Sequence, residues 1–306
     1  MAADPSELER WLAYREAHVA GAREPRAAGA GPDVESLRRA YLDLLKLSLC
    51  DLVGTSTVSL GAQPDGTVTS RALRGDERRL RSAGMDWPLE GLTMVGLGRL
   101  DDLQSCVESI VAERIEGDVI ETGAWRGGAS ILVRATLDSL GDDRAVWVAD
   151  SFQGFHPGDG GDSEALRLSA FDYLAVPVEE VRESFARLGC DRNVRFVPGF
   201  FEDTLAGLSG RRWAMVRLDA DTYEPTRLGL EHLYPGLVPG GYLIVDDYGS
   251  FQGCRQAVDQ FRSAHGITEP LEPVDSTCVR WRRAGGAPAG GWRERLRRRV
   301  RHGAAP

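Results

Sequence analysis

Short apolar runs alternate with amphipathic stretches through the middle of the chain, and this alternation restricts the fold more than any other feature of the sequence. Strands that alternate with helices form a largely parallel sheet with helices on both faces. We therefore predict an α/β fold with a sheet of six or seven strands. The strand candidates are Asp118–Thr122, Ala145–Asp150, Val194–Pro198, Trp213–Asp219, Tyr242–Asp246 and Cys278–Arg282.

Two of the amphipathic stretches predict connecting helices. Asp101–Ile115 and Gly253–His265 each place their apolar side chains on one stripe at helical spacing. Gly266 follows the second stretch directly, and glycine at this position is typical of a helix C-terminus. We expect these helices to cover faces of the sheet.

The length of 306 residues and the hydrophobic content of 42% suit one large domain better than two. We expect a catalytic domain over residues 34–283, with an N-terminal helix and a lid. Residues 1–33 and 284–306 are rich in Ala, Gly, Pro and charge, so we expect both ends to be weakly ordered. The arginines of Trp292–His302 could bind an anionic surface or form a solvated basic tail.

The charge of the chain restricts its partners. A net charge of −9 argues against binding to nucleic acid, because affinity for phosphates depends on clustered Lys and Arg. No run approaches the roughly 20 apolar residues that cross a bilayer, and the first 31 residues lack the apolar core of a secretory signal. Five widely spaced cysteines fit neither a zinc site nor a disulfide scaffold. We therefore expect a cytoplasmic protein with reduced cysteines and no membrane partner.

A glycine-rich turn, Glu121–Ser130, follows the first strand candidate and precedes a helical stretch. Glycine lets the backbone approach a ligand closely. In a dinucleotide site this turn reads Gly-x-Gly-x-x-Gly, but Glu121 stands in place of the first glycine and would repel a pyrophosphate. An acidic residue suits the cationic sulfonium and ammonium groups of S-adenosylmethionine instead. An ordinary tight connection is the alternative.

Asp150 ends the second strand candidate, at the edge of the sheet that also carries the glycine-rich turn. A carboxylate at this position can bind two ribose hydroxyls. The alternative is that Asp150 only caps a helix.

Two acidic pairs follow later strands: Asp219 with Asp221, and Asp246 with Asp247. Carboxylates gathered at one edge of a sheet repel one another unless a cation lies among them, and all-oxygen ligation favours Mg²⁺, Ca²⁺ or Mn²⁺ over zinc. We predict Mg²⁺. The alternative is that these residues cap helices or face water.

Such a metal can lower the pKa of a substrate hydroxyl, so that a nearby carboxylate removes its proton and the oxygen attacks the donor methyl group. Of the five histidines, His265 could act as an auxiliary acid or base. Its alternative is a plain residue at a helix C-terminus.

At these residues the chain resembles the macrocin O-methyltransferase family, whose members methylate sugar hydroxyls in the biosynthesis of macrolide and related antibiotics. The resemblance covers most of residues 40–283. The matching stretches are Tyr41–Lys46, Glu121–Gly128, Ala149–Gly154, Gly199–Thr204, Arg217–Glu224, Pro239–Gly241, Val245–Gly249 and Cys254–Val258. The ending Thr277–Arg280 departs from the tyrosine-containing sequence of the family.

The resemblance implies a class I methyltransferase fold, which is Rossmann-like, with S-adenosyl-L-methionine and Mg²⁺ as cofactors. It implies a metal site of Asp219, Asp246 and Asp247, with Asp219 as general base, and it does not settle Asp221. The residues expected to bind the donor are Glu121, Thr122, Gly123, Arg126, Gly127, Asp150, Ser151, Gly199, Phe200 and Asp203. It also implies a homo-oligomer, a dimer or tetramer, and a lid formed by Gly54–Asp86 or Phe155–Phe171, either of which could equally be a passive loop.

We therefore expect a Mg²⁺-dependent O-methyltransferase that acts on a sugar, a deoxysugar, of a glycosylated small molecule or its precursor. Two rivals share the layered fold: a nicotinamide-dependent oxidoreductase, and a non-catalytic protein that binds S-adenosylmethionine.

Overall fold

The computed structural model describes residues 33–62, 67–156 and 168–284. Its strands are β1 (Ser56–Ala62), β2 (Val68–Arg74), β3 (Trp87–Pro88), β4 (Asp118–Thr122), β5 (Val146–Asp150), β6 (Val194–Pro198), β7 (Trp213–Leu218), β8 (Leu237–Val245), β9 (Glu272–Pro273) and β10 (Val279–Arg282). Its helices are α1 (Val34–Leu49), α2 (Arg79–Ala83), α3 (Gly96–Ala112), α4 (Gly128–Leu140), α5 (Val178–Arg187), α6 (Phe201–Thr204), α7 (Tyr223–Leu233) and α8 (Gln252–His265).

The main sheet has seven strands in the order β6-β5-β4-β7-β8-β10-β9. Strands β4 to β8 run parallel to one another, and β10 lies antiparallel between β8 and β9. All six residues of β7 are buried, as expected for a central strand with helices on both faces. The predicted α/β fold is confirmed.

The main differences from the predicted strands lie in β7 and β8. β7 ends at Leu218, so Asp219 stands just beyond it. β8 begins at Leu237 rather than at Tyr242, and Leu237 pairs with Trp213 before the register shifts. Gly241 breaks the apolar run there because the backbones approach closely: a Cβ on Gly241 would lie 2.7 Å from the Ala214 carbonyl oxygen.

The two predicted helices are present, with shifted bounds. The first, α3, begins at Gly96 rather than at Asp101, and the second, α8, begins at Gln252. Gly266 has a left-handed backbone with φ of 63° and ends α8, as predicted.

The described residues of Gly54–Asp86, 54–62 and 67–86, include two strands and a helix, which corrects the prediction that this segment is loop-like. β1 pairs antiparallel with β2 and β3 in a separate sheet of three strands. Its strands were missed because β2 is exposed at every position except Leu73 and so lacks an apolar run. The buried Arg81 guanidinium holds this sheet to α2, since it binds Asp86 and the Val58 carbonyl oxygen.

Several predictions fall on residues outside the described part of the chain. Of the predicted weakly ordered ends only Asp33 and Ala284 are described, and Asp33 caps α1 by accepting the Ser36 N–H at 2.7 Å. The arginine-rich segment and most of Phe155–Phe171 also lie outside. Among the described helices, none combines the length and apolar character needed to cross a membrane.

Candidate active site

The carboxyl ends of β4, β5, β7 and β8 open into one cavity of about 1080 Å³. Parallel neighbouring strands bring their C-terminal residues to the same edge, where ligands bind in open α/β sheets. The three-stranded sheet and the segment that follows it form the opposite wall, through Leu60, Met85 and Trp87 among others. The cavity therefore has an acidic floor on the main sheet and a second wall that mixes apolar side chains with Thr69, Arg71 and Asp86.

Asp219, Asp246 and Asp247 lie together on the floor, as the sequence predicts. One carboxylate oxygen from each lies within 4.8 Å of the other two. Backbone bonds at the strand ends fix this placement: the Asp219 N–H donates to Thr122, and the Asp246 N–H donates to Leu218. Three carboxylates at this spacing form an oxygen donor set of the kind that binds Mg²⁺.

Asp221 stands beside this cluster with a left-handed backbone, with φ of 55°. Its backbone N–H donates to Oδ2 of Asp247 at 3.1 Å, so it helps to orient that carboxylate. Burial, followed by the charge of Asp221, raises the pKa of Asp247 well above its usual range. Asp219 is 26% exposed at its side chain, and burial and the charge of Asp246 raise its pKa.

Two arginines neutralise part of the negative charge of these carboxylates. The sequence did not indicate either of them as a site residue. Arg217 binds Asp246 through Nη2, and its Nη1 lies 2.8 Å from Asp219 and 2.5 Å from Glu121. Arg99, on α3, binds the other oxygen of Asp246 through Nη1. Arg217 belongs to the matching stretch that begins at β7, whereas nothing in the sequence connects Arg99 with Asp246, 147 residues away.

Glu121 is buried at the base of the glycine-rich turn. Its carboxylate accepts from the Ser130 hydroxyl and from Arg217. Burial raises the pKa of Glu121 to about 7, although these two partners oppose the shift.

The glycine-rich turn wraps closely over the cluster. Gly123 has φ of 80°, and a Cβ at this position would lie 1.6 Å from the Asp219 carbonyl oxygen, so only glycine fits. Asp150 holds the same turn, because its Oδ2 accepts the N–H groups of Ala124 at 2.6 Å and Trp125 at 3.0 Å. Trp125 adopts a left-handed φ of 49° there. Asp150 thus fastens the turn to the end of β5.

Half of the residues predicted to bind the donor line the cavity: Glu121, Gly123, Asp150, Ser151 and Phe200. The others do not appear on the described wall. Thr122 is fully buried, and Gly127 has φ of 83° and caps α4. Gly199, with φ of 131°, and Asp203, in α6, adjoin the lining residues Phe200 and Glu202.

Arg126 points away from the cavity floor. Its guanidinium donates to the carbonyl oxygens of Leu89 and Gly91 and lies 4.2 Å from the Trp125 ring centre. It fastens the glycine-rich turn to the segment after β3, and the structure gives it no place among the lining residues.

The structure does not place His265 with the carboxylates. It lies in the last turn of α8, and 14 helical residues separate the two ends of a helix by about 20 Å. Its ring stacks on Phe261 at 4.1 Å, and Nδ1 lies 2.8 Å from the Phe261 carbonyl oxygen. The expectation of an auxiliary acid or base is not supported, and the helix-end alternative fits.

An aromatic cluster joins the glycine-rich turn to the far wall. Trp87 stacks on Tyr173 with ring centres 5.6 Å apart, and Tyr173 contacts Trp125 at 5.3 Å. The Trp125 indole N–H donates to the Tyr173 carbonyl oxygen at 3.1 Å. Trp87 and Trp125 both line the cavity, so rigid aromatic surfaces border the space between its two sides.

Residues 39–283 match the protein family described as Macrocin-O-methyltransferase (TylF). The chain is 46% identical over 259 residues to the 8-demethyl-8-(2,3-dimethoxy-alpha-L-rhamnosyl)-tetracenomycin-C 4'-O-methyltransferase of Streptomyces olivaceus, which covers 81% of this chain and 94% of the relative. It is 40% identical to the mycinamicin III 3''-O-methyltransferase of Micromonospora griseorubida, over 80% of this chain and 96% of the relative. Among solved structures, the O-methyltransferase NovP superposes with a TM-score of 0.71 at 38% identity, over 81% of this chain and 99% of that one.

Proposed function

Because this chain belongs to the Macrocin-O-methyltransferase family and is an O-methyltransferase, we propose that it transfers a methyl group from S-adenosylmethionine to a sugar hydroxyl of a glycosylated natural product. The convergence of Asp219, Asp246 and Asp247 beside the glycine-rich turn is the observation that carries this proposal. Family membership decides against the nicotinamide-dependent oxidoreductase and against a non-catalytic binding protein. We assign the methyltransferase domain to residues 34–283.

The glycine-rich turn and the end of β5 supply the donor site in this proposal. Glu121 offers an acidic group toward a cationic donor, and Gly123 leaves the backbone open for close approach. Asp150 is already held at Oδ2 by the N–H groups of Ala124 and Trp125 and at Oδ1 by the Phe152 N–H and the Ser151 hydroxyl, so ribose hydroxyls would share its oxygens with these donors. Ser151 and Phe200 continue the same wall.

Asp219, Asp246 and Asp247 would hold a divalent cation, and Mg²⁺ fits because every ligand atom is a carboxylate oxygen. When bound, the cation supplies Lewis acidity that lowers the pKa of an adjacent substrate hydroxyl. Asp219 is the most exposed of the three carboxylates, and its raised pKa suits a group that accepts the hydroxyl proton. The remaining catalytic contribution is positioning of the two substrates.

The charges around the cavity favour a sugar already joined to an uncharged aglycone over a sugar nucleotide. A diphosphate needs open cationic partners. Each arginine on the described wall is already paired with carboxylates: Arg71 with Glu77, and both Arg99 and Arg217 with Asp246. Leu60, Met85 and Trp87 instead offer apolar contact to an aglycone.

We also propose a homo-oligomer, a dimer or tetramer, that resides in the cytoplasm. Helix α1 exposes Val34, Leu37, Tyr41 and Leu44, which lie on one face at spacings of three and four residues. All five cysteines are free and buried, as is typical of reducing compartments.

The proposal is tested by incubating the full chain with S-adenosylmethionine, Mg²⁺ and three acceptor classes: rhamnosylated polyketides, sugar nucleotides and free deoxysugars. We expect mass spectrometry to show the mass gain of one methyl group on the glycoside and none on the nucleotide. Asp219→Asn serves as the inactive control. Methylation of the sugar nucleotide alone would contradict the acceptor assignment, and methylation of none of the three classes would contradict the proposed activity.

A further inference from the structure

Both oxygens of Asp246 are held by guanidinium groups, Oδ1 by Arg217 and Oδ2 by Arg99. Asp246 is also one of the three carboxylates that converge on the candidate metal site. Any cation bound by Asp246 would therefore share one of its oxygens with the guanidinium group of Arg99 or Arg217, which already contacts that oxygen. Arg217 also binds Glu121 and Asp219, so it belongs to the floor itself.

Arg99 comes from a different element and is held by its own set of partners. Its Nε lies 2.6 Å from Oδ2 of Asp275, and its Nη2 binds the Thr277 hydroxyl. Asp275 is fixed in turn, because its Oδ1 accepts the N–H groups of Thr277 at 2.9 Å and Cys278 at 2.7 Å. Nη1 of Arg99 thus binds Asp246, while Nε and Nη2 bind Asp275 and Thr277 in the segment before β10.

The position of Arg99 in its helix supports a specific electrostatic role. It lies in the first turn of α3, where the helix dipole disfavours a cation. Its charge is retained there by Asp246 and Asp275, since burial alone would disfavour it. Arg99 also lines the cavity, beside the carboxylates that would hold a cation.

We infer that Arg99 is a built-in counter-cation that weakens the affinity of the carboxylate site for its divalent metal and holds Asp246 in place while the metal is absent. This inference rests on the proposed function. Two competing effects decide the sign of a substitution. Loss of an orienting partner typically weakens metal binding by about 10- to 100-fold. Loss of a positive charge in contact with a ligand strengthens it, and we expect this Coulomb effect to outweigh the orienting effect, because Arg217 still holds the other oxygen of Asp246 after the substitution.

The test is titration of the full chain with Mn²⁺ alone, with free Mn²⁺ followed by electron paramagnetic resonance. We expect Arg99→Gln to bind Mn²⁺ about tenfold or more tightly than wild type, because repulsion is removed. Asp275→Asn should bind more weakly, because the charge of Arg99 is then less compensated. Arg99→Lys keeps the charge and should stay near wild type.

Arg280→Gln is the matched control, since Arg280 is paired with Asp102 and Glu272 and does not contact the cluster. It should leave Mn²⁺ affinity unchanged. Thermal unfolding gives a second readout: Mn²⁺ should raise the Tm of Arg99→Gln more than that of wild type, because tighter binding to the native state stabilises it more.

Weaker or unchanged Mn²⁺ affinity in Arg99→Gln, with saturable binding in wild type, would overturn the inference and leave the proposed metal site intact. If Arg99→Gln does not fold, unchanged or tighter affinity in Asp275→Asn would overturn it instead. Absence of Mn²⁺ binding by wild type would remove the metal from the proposed function, and this inference with it.

Discussion

Glu121 and Arg217 are direct partners across the parallel strands β4 and β7, and Nη1 of Arg217 lies 2.5 Å from Oε1 of Glu121. The same guanidinium contacts Asp219 and Asp246. One buried arginine therefore joins the glycine-rich turn to the carboxylate cluster.

This arrangement predicts a pH-dependent stability. Glu121 has an ordinary pKa of 4.5 and a folded pKa of about 7, so the native state binds its proton more tightly than the unfolded state does. The stabilisation by this group is fully present below pH 4.5 and is lost as pH rises through about 7. The loss in the free energy of unfolding is at most about 3 kcal/mol.

Glu121→Gln removes this titration. Urea unfolding in EDTA at several pH values between 5 and 8 should show wild type losing free energy of unfolding relative to the variant. A difference that stays constant over this range would contradict the account of Glu121.

The close backbone contact at Gly123 predicts that adding a single methyl group there severely disturbs the glycine-rich turn. Gly123→Ala places a Cβ 1.6 Å from the Asp219 carbonyl oxygen, so either strand end must move. We expect lost binding of S-adenosylhomocysteine by calorimetry and a lower Tm. Gly141→Ala is the matched control, because Gly141 has a similar φ of 72° and no atom within 4 Å of an added Cβ. It should cost only about 1 kcal/mol of backbone strain and leave binding intact.

Asp219 and Asp246 predict different kinetic effects. Asp219→Asn should lower kcat by about 10²- to 10⁴-fold, because the proton acceptor is lost. Asp246→Asn should mainly raise the Mg²⁺ concentration needed for half-maximal rate. Initial rates at several Mg²⁺ concentrations separate the two, with Asp143→Asn as a control, because Asp143 is exposed, pairs with Arg192 and does not line the cavity. Full rescue of Asp219→Asn by excess Mg²⁺ would argue against its role as base.

The exposed face of α1 predicts a change in assembly. Leu37→Glu combined with Leu44→Glu places charge on the apolar face without touching the buried side of the helix, which includes Leu42 and Leu45. Light scattering coupled to size-exclusion chromatography should show an oligomer for wild type and a smaller species for the variant. A monomeric wild type would refute the proposed assembly.

Much of the fold and of the carboxylate site could be predicted because both depend on local patterns. The strand that ends at Thr122 and the acidic pair at Asp246 are visible as an apolar run followed by a change of residue type. Parallel topology then brings separate strand ends to one edge. No long-range geometry is needed for that step.

What escaped prediction depends on contacts between distant segments. The sheet of β1, β2 and β3 has little apolar alternation, and it is stabilised by the buried Arg81, which no periodicity marks. Arg99 meets Asp275 across 176 residues. His265 is near Asp246 in sequence, but it lies in the last turn of α8, and the length of that helix separates it from the carboxylates.

The most direct test of the account is the metal dependence of methyl transfer to a glycosylated acceptor by the unmodified chain. After exhaustive treatment with EDTA and removal of the chelator, we expect turnover to fall to background and to return when Mg²⁺ is added. Undiminished turnover in the metal-free protein would contradict the claim that Asp219, Asp246 and Asp247 act through a shared cation.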